Sequence, residues 1–129
     1  MSRVFDASAV LALLNNEKGA GKAASLIAGS SLSAVNAIEV QQKLIDVGME
    51  VDAAEAMLAS LGLSIAPFDA QQASIAASLR PIARQHRLLL ADCACIALSR
   101  VLKLPALSGD QAWKQIAKEA GFTFDNVRR

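Results

Sequence analysis

The chain has 129 residues, enough for one domain with its own core and without disulfide or structural-metal support. Apolar residues make up 53% and mean hydropathy is +0.35, which excludes a disordered chain, and no apolar run reaches the length of a membrane span. Net charge is only +1, so bulk charge alone points to no polyanionic partner.

Val4 and Phe5 begin a short strand that ends at Asp6. The opening residues lack a signal-peptide pattern, and the expectation is a cytoplasmic protein. Ala7 to Leu14 reads as a helix, and Ala20 to Ala28 as a second one closed by Gly29. Leu32 to Val35 is a strand candidate. Asn36 is placed to cap a helix reaching about Val47 and stopped by Gly48. Asp52 opens a helix over 53–61, and 63–68 is the next strand candidate. Asp69 and Gln72 have capping-box spacing, with a helix running to Arg80 before Pro81.

Leu88 to Leu90 lead into Asp92 and a long helix from Cys93 to Leu102. Pro105 to Leu107 reads as a strand, Ser108 to Asp110 as a turn, and Gln111 to Ala120 as the last large helix. Phe122 to Phe124 offers a closing strand. Short strands separated by helices predict an α/β fold, a single domain over 1–129 with a parallel sheet covered on both faces. Cys93 and Cys95, two apart on a helix, point in different directions and read as buried thiols rather than a disulfide.

Four acids stand at the junctions of this pattern: Asp6, Glu39, Asp92 and Asp110. Three follow apolar runs and open helices, and Glu39 lies in the first turn of another. In a parallel sheet such positions gather at the carboxyl edge of the strands. Each Asp alone also satisfies a helix N-cap. Together, four carboxylates repel one another, and a hard divalent cation, magnesium or manganese, would relieve that repulsion. The spacing therefore points to metal-dependent chemistry on phosphate esters.

Charge is distributed unevenly. From Leu44 to Leu79 there are five acids and no Lys or Arg; from Arg80 onward there are nine Lys or Arg and four acids. Arg80, Arg84, Arg87, Arg100 and Lys103 are the candidates for phosphate contact. The acidic stretch is suited to subunit or partner contact. Trp113 is expected in the core, with stacking on a base as the alternative.

The motifs resemble those of the PIN-domain family, and within it the small VapC-type toxins of toxin–antitoxin pairs. Val4-Phe5-Asp6-Ala7-Ser8-Ala9 resembles the opening strand and first acid. Ser33 to Val40, containing Glu39, resembles the second motif. Leu90-Ala91-Asp92-Cys93 resembles the third, and Leu104 to Trp113, with Ser108 and Asp110, the fourth. The resemblance covers nearly the whole chain. It implies a three-layer α/β/α sandwich with a central, mostly parallel sheet. It implies a Mg2+- or Mn2+-dependent endoribonuclease, commonly a homodimer held in check by a cognate antitoxin, cutting structured RNA such as tRNA or rRNA. Asp6, Glu39, Asp92 and Asp110 would bind the metal and carry catalysis, and the Ser108 hydroxyl would order a ligand or water. The chain departs from the family at Ala91, Cys93, Gly109 and Gln111, where Gly or Ala and Arg often flank the acids. Two alternatives have another character: a catalytically silent binding module of the same fold, and a phosphoacceptor receiver domain, for which Asp52 follows a poor core strand.

Overall fold

The computed structural model describes all 129 residues. Five short strands, β1 (Val4–Phe5), β2 (Ser31–Ser33), β3 (Ser64–Ala66), β4 (Ala106–Ser108) and β5 (Phe124–Asn126), form one sheet. All neighbouring strands are parallel, in the order β3-β2-β1-β4-β5. Eight helices fill the connections: α1 (Ala7–Leu14), α2 (Ala20–Leu26), α3 (Ala34–Asp46), α4 (Val51–Ala59), α5 (Ala70–Ser78), α6 (Arg80–His86), α7 (Leu90–Leu102) and α8 (Trp113–Ala120).

Strand alternation divides the core into two layers, because successive side chains leave a strand on opposite faces. Val4 and Ala106 point to one face, where Ile96 and Leu98 of α7 and Trp113 and Ile116 of α8 pack on them. Phe5, Leu32 and Leu107 point to the other, under Ala9 and Val10 of α1, Val40 and Leu44 of α3, and Leu58 of α4. This is the expected three-layer α/β/α sandwich. Central strands buried on both faces read as apolar pairs, Val4-Phe5 and Ala106-Leu107, and not as alternating runs.

Trp113 is fully buried, with its ring edge-on to Phe122 at 5.9 Å and tilted against Phe124 at 6.5 Å. It is a core residue and cannot stack on a base. Both cysteines are buried and free. Asp52 lies in the first turn of α4 and not at a strand end, which removes the receiver-domain arrangement. No helix is long and apolar enough to cross a membrane.

Several boundaries differ from the sequence expectation. β2 ends at Ser33, whose hydroxyl accepts from Val35 N at 3.2 Å, so Ser33 caps α3 in place of Asn36. β4 runs one residue later than expected and ends on Ser108, while β5 begins at Phe124, where the expected strand ended. Asp69 does accept from Gln72 N at 2.9 Å, but the Gln72 amide turns to Pro67 O, so the reciprocal box is absent. The helix expected to reach Arg80 stops at Ser78. Pro81 sits in the first turn of a separate α6, where its missing N–H costs nothing.

Sheet order places the reversal of winding between β1 and β4. From β1 the chain winds outward through β2 and β3, then crosses back to β4 and on to β5. The crevice at the carboxyl ends of two such strands is where open α/β sheets bind ligands. Asp6 follows β1 and Asp110 follows β4 by two residues, so both sit at this crevice.

Candidate active site

Asp6 is the anchor of the site. It caps α1 by accepting from Ala9 N at 2.9 Å through Oδ1, as Asp at an N-cap does. The same oxygen accepts from Ser8 Oγ at 2.6 Å, and Oδ2 accepts from Ser108 Oγ at 2.5 Å. Each of these hydroxyls also accepts a backbone N–H from the turn after β4: Ser8 from Gly109 at 2.8 Å and Ser108 from Asp110 at 3.0 Å. The two serines thus lock the turn that carries Asp110 onto the carboxylate of Asp6. Ser108 is fully buried, and its hydroxyl donates to Asp6 and accepts from Asp110 N, so it ties the first acid to the fourth.

Asp92 lies in the first turn of α7, where its Oδ2 accepts from Leu89 N at 2.8 Å. Glu39 is one turn along α3 from Asn36, whose amide donates to Glu39 Oε1 at 3.0 Å and to Ala91 O at 3.1 Å. Asn36 is buried and Ala91 adjoins Asp92, so this one amide fixes the distance between the second and third acids. Asp110 is exposed and its Oδ1 accepts from Ala112 N at 3.0 Å. The amino ends of α1, α3 and α7 meet here, and their partial positive charge favours anions.

The acids feel one another. Burial raises the Asp6 carboxyl to about 6, against the lowering effect of Ser108, Ser8 and Ala9 N, and the charge of Asp92 adds to the rise. Asp92 is also pushed up, first by burial, then by the charges of Glu39 and Asp110, with Leu89 N opposing. Beneath them the Cys95 thiol is raised by burial and by the charges of Asp6, Asp92 and Glu39. The protein's two ion pairs are both on Asp125, with Arg3 at 2.9 Å and Lys22 at 2.6 Å. None of the four acids has a basic side chain paired to it. The sheet edge therefore concentrates negative charge that backbone N–H groups and helix ends offset in part and no basic side chain pairs.

That donor set is all oxygen, carries excess negative charge, and fits a hard divalent cation. No three carboxylates close into a preformed cage. Asp6, Glu39, Asp92 and Asp110 are the residues that would hold the ion, with solvent completing its shell.

The basic residues divide. Arg80 faces the first turn of α7, where its charge opposes the upward shift that burial and Asp92 impose on Cys93. Arg84 and Arg87 are exposed at the carboxyl end of α6, just before that turn. Arg100 and Lys103 lie at the far end of α7, about 12 Å and about 16 Å along the helix axis from Asp92. Sequence reasoning did not single out Ser8 or Arg128. The only signal for Ser8 is a hydroxyl two residues from an acid, mirrored by Ser108 and Asp110. Arg128 donates to Gly109 O at 2.5 Å, beside the fourth acid.

Asn36→Ala removes the tie between Glu39 and the start of α7. Affinity for manganese, read by titration, should fall about 10–100-fold, as for loss of a group that orients a ligand side chain, while the melting temperature falls modestly. Affinity at the wild-type level would show that Glu39 needs no such support.

The family model described as PIN domain matches residues 3–119 of this chain. No curated protein matches it in sequence. Solved structures share the fold at low identity. A VapBC complex from Salmonella typhimurium bound to DNA aligns at TM-score 0.74 and 12% identity, covering 98% of this chain and 99% of that one. FitAcB from Neisseria gonorrhoeae aligns at TM-score 0.70 and 20% identity, covering 98% of each chain. VapBC2 from Rickettsia felis, bound to a DNA fragment from its promoter, aligns at TM-score 0.70 and 15% identity, also covering 98% of each.

Proposed function

Because this chain belongs to the PIN-domain family, we propose that it is a divalent-metal-dependent endoribonuclease and the toxin of a toxin–antitoxin pair. The observation that carries this reading is the convergence of Asp6, Glu39, Asp92 and Asp110 at the winding reversal of the sheet, with mutual repulsion and no paired base. A like-charge cluster anchored on one buried carboxylate is costly, and a cation together with a phosphodiester gives it a purpose. Magnesium or manganese, when bound, would supply Lewis-acid polarisation of the phosphate and neutralise developing charge.

The chain's own groups supply the rest. Asp6 and Asp92 are held by backbone N–H donors and by the Ser8 and Ser108 hydroxyls, so their orientation is fixed before substrate arrives. Asp110 is the most open of the four; with Oδ1 on Ala112 N, its Oδ2 is free to take a proton from the attacking water. The water oxygen bonds to phosphorus in line with the leaving 3′ oxygen, the P–O3′ bond breaks, O3′ takes a proton from solvent, and Asp110 returns its proton to solvent. A 5′-phosphate and a 3′-hydroxyl result. No histidine is required, and His86 stands on α6 outside the acidic cluster.

Arg80, Arg84 and Arg87 lie on the approach to α7 and are suited to the RNA backbone; Arg100 and Lys103 would serve only a long substrate. The structural neighbours carry antitoxin partners in the VapBC and FitAB complexes, and a cognate antitoxin is proposed here by that likeness. Exposed Ile38, Ile45, Val47, Val51 and Met57 on and between α3 and α4 offer an apolar surface for an antitoxin or a second copy, consistent with a homodimer. A cytoplasmic location follows from the same reading.

The test is incubation of purified protein with total cellular RNA, with manganese or magnesium and with EDTA. Discrete fragments with 5′-phosphate ends that vanish in EDTA are expected. Antitoxin-free, folded protein that cuts nothing would transfer the assignment to the silent binding module.

A further inference from the structure

A second concave surface adjoins the acids and has no part in the mechanism above. It lies between the start of α8 and β5, with a volume of about 580 Å3, inside the range of about 300–1,000 Å3 typical of small-ligand sites. Its wall on the α8 side begins at Gln111, the residue after Asp110. Gln111, Lys114 and Gln115 line that side, Asn126 and Arg129 the other, and the half-buried ring of Phe124 lies between them. Asn126 ends β5, so the cleft opens at the same carboxyl edge as Asp6 and Asp110, about two strand spacings or ~10 Å from the centre of the acidic cluster.

The chemistry of this lining is unlike that of the acidic cluster. It holds three carboxamides, two cations, one aromatic ring and no acid. The side chains of Gln111, Lys114, Gln115 and Arg129 make no hydrogen bond or ion pair inside the protein, although the segment that bears Arg129 is firmly anchored. Asp125 ties β5 to Arg3 and Lys22, Lys22 also donates to Asn126 O at 2.8 Å, and Arg128 donates to Gly109 O. The cleft is thus built on a fixed tail and presents free polar groups. Carboxamides carry donors and acceptors that match base edges. Unpaired RNA is read by such contacts together with aromatic faces and backbone cations.

We infer that the α8–β5 cleft is a nucleotide subsite: it takes the base and phosphate of the RNA residue next to the phosphodiester held at the acids. Gln111, Gln115 and the side-chain N–H of Asn126, whose Oδ1 already accepts from Arg128 N at 2.9 Å, select the base edge; Phe124 forms the apolar floor, and Lys114 and Arg129 hold the phosphate. This rests on the nuclease reading and deepens it, because it gives the cut a preferred neighbour.

Two measurements separate the two ideas. A short fluorescein-labelled single-stranded RNA of mixed sequence is titrated by anisotropy in EDTA over a salt series. The Lys114→Ala, Arg129→Ala double variant should bind about tenfold more weakly, with a salt slope shallower by about 1.4, the value for two phosphate contacts on a single strand. Total RNA is then cut with metal and the fragment ends sequenced. Gln111→Ala with Gln115→Ala should shift the nucleotides flanking the cuts. Melting temperatures confirm folding of both. Wild-type affinity, salt slope and cut positions in these variants overturn the subsite and leave the nuclease reading standing. Charge-dependent binding through the cleft, with no cleavage by wild type, overturns the nuclease reading and with it the subsite as neighbour of a cut, and leaves the cleft as an RNA-binding surface alone.

Discussion

Asp92→Asn protein should fold like wild type and cut RNA more slowly by on the order of 10²–10³, the scale for removing one electrostatic group from a reaction centre. Folding survives because the amide oxygen of Asn can still accept from Leu89 N, as a carboxamide can stand in for a carboxylate at the third helical position of a capping box. Removing the charge also relieves repulsion from Glu39 and Asp110, so stability should hold or rise. Cleavage has no such substitute. A neutral amide is a weak ligand for a hard cation, and the remaining acids cannot move in to replace it, because Asp6 is clamped by three hydrogen bonds. Gel assays with total RNA, paired with a thermal melt, check both halves. Wild-type cutting by a folded Asp92→Asn protein would sink the site assignment.

The acids were legible because acidic residues at strand–helix junctions have a geometric meaning in a parallel sheet, whichever strand order is realised. Their supports were not. Ser8 and Ser108 are 100 residues apart in sequence and meet only because β1 and β4 pair in register, Phe5 opposite Leu107. Asn36 looked like a cap, since Asn favours that place. With Ser33 as cap, Asn36 falls three residues into α3 and reaches across to Ala91. A helix start three residues earlier than expected changes its role from local to tertiary. Strands of two or three residues carry too little alternation to fix their ends, which is why β4 and β5 were displaced. The same displacement hid the tail. The basic residues from Arg80 onward are plain in the sequence, but only long-range pairing places Arg128 against Gly109 and Arg129 beside α8.

In EDTA the protein should become more stable as pH falls from about 7 to about 4, and Asp6→Asn should remove most of that slope. Asp6 has an ordinary carboxyl value of 3.8 that burial raises to about 6. Its contribution to stability is fully present below 3.8, where folded and unfolded chains both hold the proton. It declines as the unfolded chain ionises, and is lost by the time pH passes about 6. The rise from 3.8 to about 6 corresponds to about 3 kcal/mol. Asp92 is shifted in the same direction. Asp125 runs opposite: burial would raise it, but Lys22 and Arg3 outweigh burial and lower it, so its contribution is lost only as pH falls below the ordinary carboxylate range. The window between about 4 and 6 therefore belongs to the acidic cluster. Asn at position 6 keeps an acceptor for Ala9 N and carries no charge, so the variant should be the more stable protein near pH 7 while losing cleavage. Urea unfolding across this range, with and without manganese, reads both effects, and metal should flatten the wild-type slope by favouring the ionised acids. A wild-type slope retained in Asp6→Asn would mean that the strain of the buried carboxylate lies elsewhere. A flattened slope would show that the acid most deeply built into this fold is held there against stability.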